Sequence, residues 1–215
     1  MSVLRRIVTR RPDMVKILIL FAHPVLEKSR VQSAMHRRVQ EMPGITVNDL
    51  YQCYPDFDID VDHEQELLLA HDVIVMQHPF YWYSAPAILK QWMDLVLQHG
   101  WAYGASGDQL QGKIIFNAIS TGGRQESYRQ DGYNRYTMED FLRPFEQTAR
   151  LCKMRYWPPF VVHGVHRMEP ADIQLHAVQY EELLIALQHD RISAEEIQGV
   201  RYLNELTPIS KTIVS

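Results

Sequence analysis

The segment "VKILILFAHP" (residues 15–24) is a short apolar run that ends at a histidine and a proline. A run of this length is too short for a typical buried helix and is typical of a strand buried on both faces of a parallel sheet. Two similar runs follow, "VIVMQHP" (73–79) and "KIIFNAIST" (113–121). A shorter apolar stretch, "WPPFVVHGV" (157–165), and an alternating one, "ITVNDLY" (45–51), complete the set. The sequence therefore predicts five strands.

Segments with helical periodicity separate these strands. Apolar residues recur at helical spacing over 31–39 and 88–96, and further helices are predicted over 63–72, 138–152 and 171–188. Alternating strands and helices are typical of an α/β fold, and right-handed crossovers place helices on both faces of the sheet. We predict a doubly wound five-stranded parallel sheet, in which ligands bind beyond the carboxyl ends of the strands.

Composition and charge exclude several classes of protein. The 215 residues are 46% hydrophobic and 22% charged, which excludes wholesale disorder. A formal net charge of −4 argues against a nucleic-acid-binding protein. No apolar run approaches the ~20 residues that cross a bilayer, so we expect a cytoplasmic protein. Cys53 and Cys152 fit no metal or redox spacing; reduced thiols are expected and no metal site is predicted.

The length fits one domain with two flanking segments. Residues 1–13 carry four arginines and no apolar signal region, and we expect a flexible basic extension, with a weak tether to anionic lipid as the alternative. The domain is predicted over 14–190. Residues 191–215 are expected to form a C-terminal extension over the surface or a partner.

The loop "AHPVLEKSR" (22–30), which follows the first strand, suits a phosphate group. Ser29 is placed to cap the next helix, whose free N–H groups attract an anion. Lys28 and Arg30 add positive charge, and His23 can donate a hydrogen bond. No Walker loop or GxGxxG occurs, so a nucleoside triphosphate or a standard Rossmann dinucleotide is not supported. An ordinary turn with a serine cap is the alternative.

The stretch "QHPFYWYSAPAILKQWMD" (77–94) follows the third strand and contains four consecutive aromatic residues, Phe80, Tyr81, Trp82 and Tyr83. Consecutive side chains point in several directions, so these four cannot all enter one core. Flat apolar walls with nearby backbone amides suit a planar heteroaromatic ring.

The segment "STGG" (120–123) closes the fourth strand. Paired glycines let a ligand approach the main chain, Thr121 can hydrogen-bond it, and the phenol of Tyr128 can donate a proton. A simple tight turn is the alternative. Together the three strand ends fit a flavin mononucleotide.

These segments resemble the flavodoxin-like NAD(P)H:quinone oxidoreductase family over residues 15 to about 188. The likeness is carried by Ala22-His23, "HPFYWYSAPAILKQWMD", "GWAYG" (100–104), "LQGK" (110–113) and "STGG". Within that family, "LYQCYPDFDIDVDHEQ" (50–65) and "NRYTMEDFLRPFE" (134–146) resemble the cytosolic ancillary subunits of bacterial glutathione-gated potassium efflux systems.

The resemblance implies a flavodoxin-like fold that binds flavin. FMN is favoured over FAD, because the chain lacks the long C-terminal extension of the animal enzymes. The family often has asparagine near Gln32. The implied flavin-binding residues are His23, Ser29, Arg30, Val31, Gln32, Pro79, Phe80, Tyr81, Trp82, Tyr83, Thr121, Gly122 and Gly123.

The implied reaction is ping-pong transfer of two electrons, as hydride, from NAD(P)H to a quinone. Tyr128 matches a tyrosine that stabilises reduced flavin in the animal enzymes, but Asn134 replaces its histidine partner, so a two-residue relay is not supported. The family is dimeric, and Trp101 and Tyr103 resemble the residues with which one subunit covers the active site of the other.

The rival function is regulatory docking on a membrane potassium efflux protein, with little or no redox turnover. The acidic residues Asp56, Asp58 and Asp60 supply a plausible docking surface, which implies peripheral association with the cytoplasmic face of the inner membrane. The alternative interpretation is a solvated loop in which Asp60 or Asp62 caps a helix.

Overall fold

The computed structural model describes residues 14–207, so the basic extension predicted over 1–13 lies outside the described residues. The strands are β1 (Ile17–Phe21), β2 (Ile45–Asp49), β3 (Val73–Pro79), β4 (Ile114–Ser120), β5 (Arg155–Tyr156) and β6 (Phe160–Val162). The helices are α1 (Arg30–Val39), α2 (Leu50–Cys53), α3 (Val61–Ala70), α4 (Ala87–Val96), α5 (Met138–Leu151), α6 (Pro170–Gln188) and α7 (Ala194–Gly199).

All strand pairs in the sheet are parallel, in the order β2-β1-β3-β4-β5, and β6 also pairs with β4. The order reverses between β1 and β3, which is the switch point where flavodoxin-like sheets bind their ligands. The predicted fold class is therefore confirmed.

Side chains alternate between the two faces of the sheet, and both faces are buried. Ile17, Ile19 and Phe21 of β1 join the core under α1 and α6. Leu18 and Leu20 join the core under α3, α4 and α5. Two apolar cores of this kind explain why β1 reads as a continuous apolar run.

Only Phe160–Val162 of the predicted fifth strand, 157–165, is a strand in the structure (β6), and a two-residue strand, β5, precedes the predicted range. β5 pairs with the start of β4 and β6 with its end, and Trp157, Pro158 and Pro159 lie between them. Proline has no N–H for the ladder and is confined to strand edges and interruptions. The interruption therefore falls at the two prolines.

Two aspartates end or begin elements two residues away from the boundaries predicted from the sequence. Asp49 accepts hydrogen bonds from the N–H groups of Tyr51 and Gln52, so β2 ends there and α2 begins. Asp60 accepts from the N–H of His63 at 3.0 Å and caps α3, which begins at Val61 and not at His63.

The segment after α6 returns to the sheet. Leu203 is fully buried and donates its N–H to the Pro159 carbonyl, while Asn204 Oδ1 accepts from the N–H of Val161 at 2.8 Å. Residues 202–204 thus satisfy backbone groups beside β6. None of the helices within residues 14–207 is long and apolar enough to span a bilayer.

Candidate functional site

A cavity of about 560 Å³ lies at the carboxyl ends of β1, β3 and β4. The three loops singled out in the sequence meet there. Nine of the predicted residues line it: His23, Ser29, Arg30, Val31, Pro79, Phe80, Tyr81, Trp82 and Gly122. Its volume lies within the usual range for small-molecule sites, roughly 300–1,000 Å³.

Ser29 caps α1 at the base of the cavity, as predicted. Its Oγ accepts a hydrogen bond from the N–H of Gln32 at 3.2 Å. The N–H groups of Arg30 and Val31, at the first two helical positions, have no acceptor within the helix. The positive end of the helix dipole and the neighbouring Lys28 therefore face the same space, which suits an anion.

His23 is held as a neutral hydrogen-bond donor. Its Nδ1 accepts from the N–H of Val25 at 3.2 Å, and burial lowers its pKa from the ordinary value. A neutral imidazole with Nδ1 as acceptor carries its proton on Nε2. The ring also packs edge-on to Tyr81 at 6.1 Å between centroids.

The aromatic turn has an unusual backbone. The Ser84 N–H donates to the Tyr81 carbonyl at 3.0 Å, closing a turn whose central residues, Trp82 and Tyr83, have φ of 50° and 62°. Positive φ at both central positions is the signature of a type I′ turn, which favours glycine and asparagine. Two large side chains in left-handed geometry cost roughly 1 kcal/mol or more each, and such strain clusters at functional sites.

The four aromatic side chains point in different directions, as predicted. Phe80 is buried against Tyr128 and Phe141, and Tyr83 stacks on Phe141 with centroids 5.1 Å apart. Trp82 is 93% exposed and projects from the turn at the mouth of the cavity. Tyr83 does not line the cavity but supports the turn from behind.

The loop after β4 is tied down through Thr121. Its hydroxyl donates to the Gly123 carbonyl at 2.8 Å, so it accepts from Nδ1–H of His163 at 3.2 Å. Burial lowers the pKa of His163 to about 4, which keeps the ring neutral. Thr121 is buried and does not line the cavity; its contacts set the path of Gly122 and Gly123.

Tyr128 lies beneath that loop. A Cβ on Gly123 would approach the Tyr128 hydroxyl to 3.1 Å, and the ring packs against Phe80 and His163. Burial raises the pKa of Tyr128, opposed by hydrogen bonds with the Thr121 and Asn134 side chains, so the phenol is protonated at neutral pH. Tyr128 does not line the cavity itself.

The structure adds residues that the sequence did not single out. Ser120, Val25, Val165 and His166 also line the cavity. A Cβ on Gly122 would meet the His166 imidazole at 2.5 Å, so this glycine lets the loop after β6 approach closely. The signal was available, because Val165 ends the fifth predicted strand, His166 follows it, and the end of that strand meets the same sheet edge.

Gln32 has a different environment from the one the resemblance implies. Its side chain is fully buried, donates to Ser120 Oγ and the His78 carbonyl, and accepts from Gln77. Tyr180 of α6 then donates to Gln77 at 3.0 Å. This buried network fixes the ends of β3 and β4, and the amide does not line the cavity.

The remaining predicted residues lie elsewhere. Trp101 and Tyr103 follow α4 as half-buried side chains packed on the core, outside the cavity. Asp56, Asp58 and Asp60 are exposed, on a segment anchored by the buried Tyr54 and Ile59.

The residues present fit FMN. A helix start with basic neighbours stands at one side of the cavity, and a strained, exposed aromatic turn with a close-approach glycine stands at the other. The first suits a phosphate and the second a flat ring system. A cavity with both chemistries matches a phosphorylated planar cofactor.

Comparisons with known proteins agree with the fold. A protein family described as having a flavodoxin-like fold matches residues 15–184 of this chain. The glutathione-regulated potassium-efflux system ancillary protein KefG of Enterobacter sp. (strain 638) is 47% identical over 169 residues, which cover 79% of this chain and 92% of that protein.

Two solved structures are also similar. General stress protein 14 of Treponema denticola, in complex with FMN, is 41% identical with a TM-score of 0.77, covering 80% of this chain and 99% of its own. An NADPH-quinone reductase from P. pentosaceus is 35% identical with a TM-score of 0.71, covering 78% of this chain and 96% of its own. The chain belongs to the flavodoxin-like family, together with the glutathione-regulated potassium-efflux ancillary proteins.

Proposed function

We propose that this protein is an FMN-dependent NAD(P)H:quinone oxidoreductase. The observation that carries the proposal is the meeting of the capped start of α1, the aromatic turn and Gly122 around one cavity. The FMN-bound relative and the NADPH-quinone reductase relative, both above 30% identity, support it. Bound FMN supplies the redox chemistry, accepting hydride from NAD(P)H and delivering two electrons to a quinone.

The chain's own residues bind and orient the cofactor. The N–H groups of Arg30 and Val31, with Ser29 and His23, would hold the phosphate. Pro79, Phe80 and Trp82 would form a wall for the ring, and the backbone at Gly122 and Gly123 would supply it with hydrogen-bond donors. Rigid placement of this kind is the protein's main contribution to cofactor chemistry.

Steady-state assays with NADPH and a soluble quinone test the activity. Parallel double-reciprocal lines are expected, because both substrates use the same place in turn. Absence of turnover by FMN-saturated protein would contradict the proposal and favour a regulatory subunit without redox activity.

Tyr128 is proposed to act by positioning the Gly122-Gly123 backbone and by supplying a protonated phenol beneath it. Because the phenol does not line the cavity, it acts through that backbone, whose N–H groups would favour the reduced, more negative form of the bound ring. We therefore expect Tyr128→Phe to make the flavin reduction potential more negative by about 30 mV, the equivalent of misplacing one backbone hydrogen bond to a charged group. FMN affinity should change little.

The potential is measured by dye-equilibrated reduction under anaerobic conditions. Tyr136→Phe, an exposed tyrosine that packs edge-on to Phe141, is the control and should leave the potential unchanged. If Tyr128→Phe left the flavin reduction potential unchanged, Tyr128 would have no part in setting it.

We also propose that the protein docks on a membrane potassium efflux protein from the cytoplasmic face, as the name of the KefG relative suggests. Asp56 and Asp58 are the proposed contact residues, exposed on a segment held by buried neighbours. Asp60 is already engaged as the cap of α3, so its carboxylate serves the fold.

The double variant Asp56→Lys/Asp58→Lys is expected to lose activation of potassium efflux while it retains FMN content and quinone turnover. Reversed charge at an interface rim repels the partner without disturbing a buried contact. Potassium efflux is followed in cells that express the partner. Glu41→Lys/Glu182→Lys, two exposed acids elsewhere, is the matched control; equal efflux in both double variants would refute docking through this segment.

A homodimer is proposed as the working assembly. Trp101 and Tyr103 are only half-buried, and Trp82 stands almost fully exposed at the cavity mouth. Exposed aromatic side chains of this kind are enriched at protein interfaces.

A further inference from the structure

A second cavity, of about 640 Å³, shares a wall with the first. The wall is the segment 163–168: Val165 and His166 line the first cavity, whereas Arg167 and Met168 line the second. The Arg30 guanidinium donates to the Met168 carbonyl, which ties this wall to the phosphate loop.

Two arginines that line the second cavity have no bonding partner within the described part of the chain. The side chains of Arg124 and Arg167 are exposed and make no hydrogen bond or ion pair with any other residue between 14 and 207. Arginine presents a fork of donors that matches phosphate oxygens, and six other described arginines do form bonds with side-chain or backbone acceptors.

The charge of the lining is positive. Asp172 is its one acidic residue, so the two arginines leave one net positive charge. His176 also lines the cavity; burial lowers its pKa and Asp172 opposes that shift. The cavity therefore favours an anion, and the Asp172 carboxylate can accept a hydrogen bond from a hydroxyl or amino group of the ligand.

The lining is also partly apolar. Leu175 and Met168 are half-buried and contribute hydrocarbon surface beside the arginines. The volume is far larger than one phosphate needs and falls within the range of small-molecule sites, roughly 300–1,000 Å³. The lining matches an organic phosphate better than an inorganic ion.

We propose that this cavity binds a phosphate-bearing small molecule of nucleotide size. Arg124 and Arg167 hold the phosphate, and Met168 and Leu175 contact the apolar part. The phosphate has two possible sources: the adenosine phosphate half of NAD(P)H, an assignment that rests on the proposed function, or a separate phosphorylated metabolite.

Isothermal titration calorimetry of FMN-saturated protein, with pyrophosphate and with adenosine 2′,5′-bisphosphate as ligands, tests the site. Both probes are expected to bind, the bisphosphate more tightly. Arg124→Gln and Arg167→Gln should each weaken binding about tenfold, the effect of one charge-assisted hydrogen bond. Arg37→Gln, an exposed arginine on α1 away from the cavity, is the matched control and should bind normally.

The two sources are separated by kinetics. If NADPH is the ligand, Arg124→Gln/Arg167→Gln raises its KM about tenfold or more with kcat unchanged. If a separate metabolite is the ligand, the double variant loses bisphosphate binding but keeps the KM for NADPH. No binding of either probe at millimolar concentration, or equal binding by the double variant, overturns the proposal. The titration needs no turnover, so it decides this site even if the proposed redox function fails.

Discussion

The Ser29→Asp variant is expected to bind FMN about 100-fold or more weakly than the natural protein. Ser29 caps α1 at the proposed phosphate site, and aspartate is an equally good cap, so the helix should be retained. The new carboxylate places a negative charge beside the phosphate. Like charges about 4 Å apart repel by roughly 4 kcal/mol near a protein surface. Solvent screening reduces this repulsion, and the remainder still accounts for a 100-fold loss of FMN affinity.

The matched control is Ser29→Asn, which has the same shape as the aspartate variant and also caps helices but carries no charge. FMN affinity is measured by quenching of its fluorescence. Near-equal affinity of the aspartate and asparagine variants would show that no phosphate binds at the start of α1.

The Glu64→Ala variant is expected to lose roughly 4 kcal/mol of unfolding free energy. This loss combines the cost of leaving buried donors unpaired with the cost of the cavity that the missing side chain leaves. Glu64 is fully buried on α3. Its carboxylate accepts from Asn48 Nδ2 at 2.8 and 2.9 Å, and from the Tyr54 hydroxyl and Trp92 Nε1 at 2.7 Å each. Removing it leaves all three donors buried without an acceptor.

Urea unfolding measures this loss. Glu66→Ala, two residues along the same helix and exposed, should change stability by no more than about 0.5 kcal/mol. Glu64→Gln keeps one acceptor oxygen, so its unfolding free energy should lie between those of Glu64→Ala and Glu66→Ala. Tyr54 anchors the acidic segment and Trp92 lies on the helix after the aromatic turn, so Glu64 connects these two regions. If Glu64→Ala were as stable as Glu66→Ala, this connection would not contribute to stability.

The regular elements were predictable because local signals and burial agree. β1 and β3 are apolar on both faces since both faces are covered, and Ser29 caps α1 because it directly precedes the periodic segment. The convergence of three loops on one cavity follows from parallel strands, whose carboxyl ends share one edge of the sheet.

The parts that sequence reasoning missed depend on tertiary contacts. Glu64 looks like a solvated acid in "HEQELLLAHD", yet it is buried because Asn48, Tyr54 and Trp92 converge on it. The Gln32 amide turns into the sheet because Ser120 offers it an acceptor 88 residues away. No local pattern encodes such pairings.

Val165 and His166 were missed for a different reason. The end of the predicted fifth strand, 157–165, carries no helix cap, aromatic run or paired glycines, so its carboxyl end was not assigned to the site. The rule that identified the other three loops applies to this one as well, because Val162 at the end of β6 lies beside Ser120 at the end of β4.

The measurement that tests the central claim most directly is an absorbance spectrum of protein saturated with FMN, desalted, and titrated anaerobically with NADPH. We predict a retained flavin band near ~450 nm that bleaches with about one equivalent of NADPH and returns when a quinone is added. Protein that emerges without flavin, or whose flavin band does not respond to NADPH, would contradict the account.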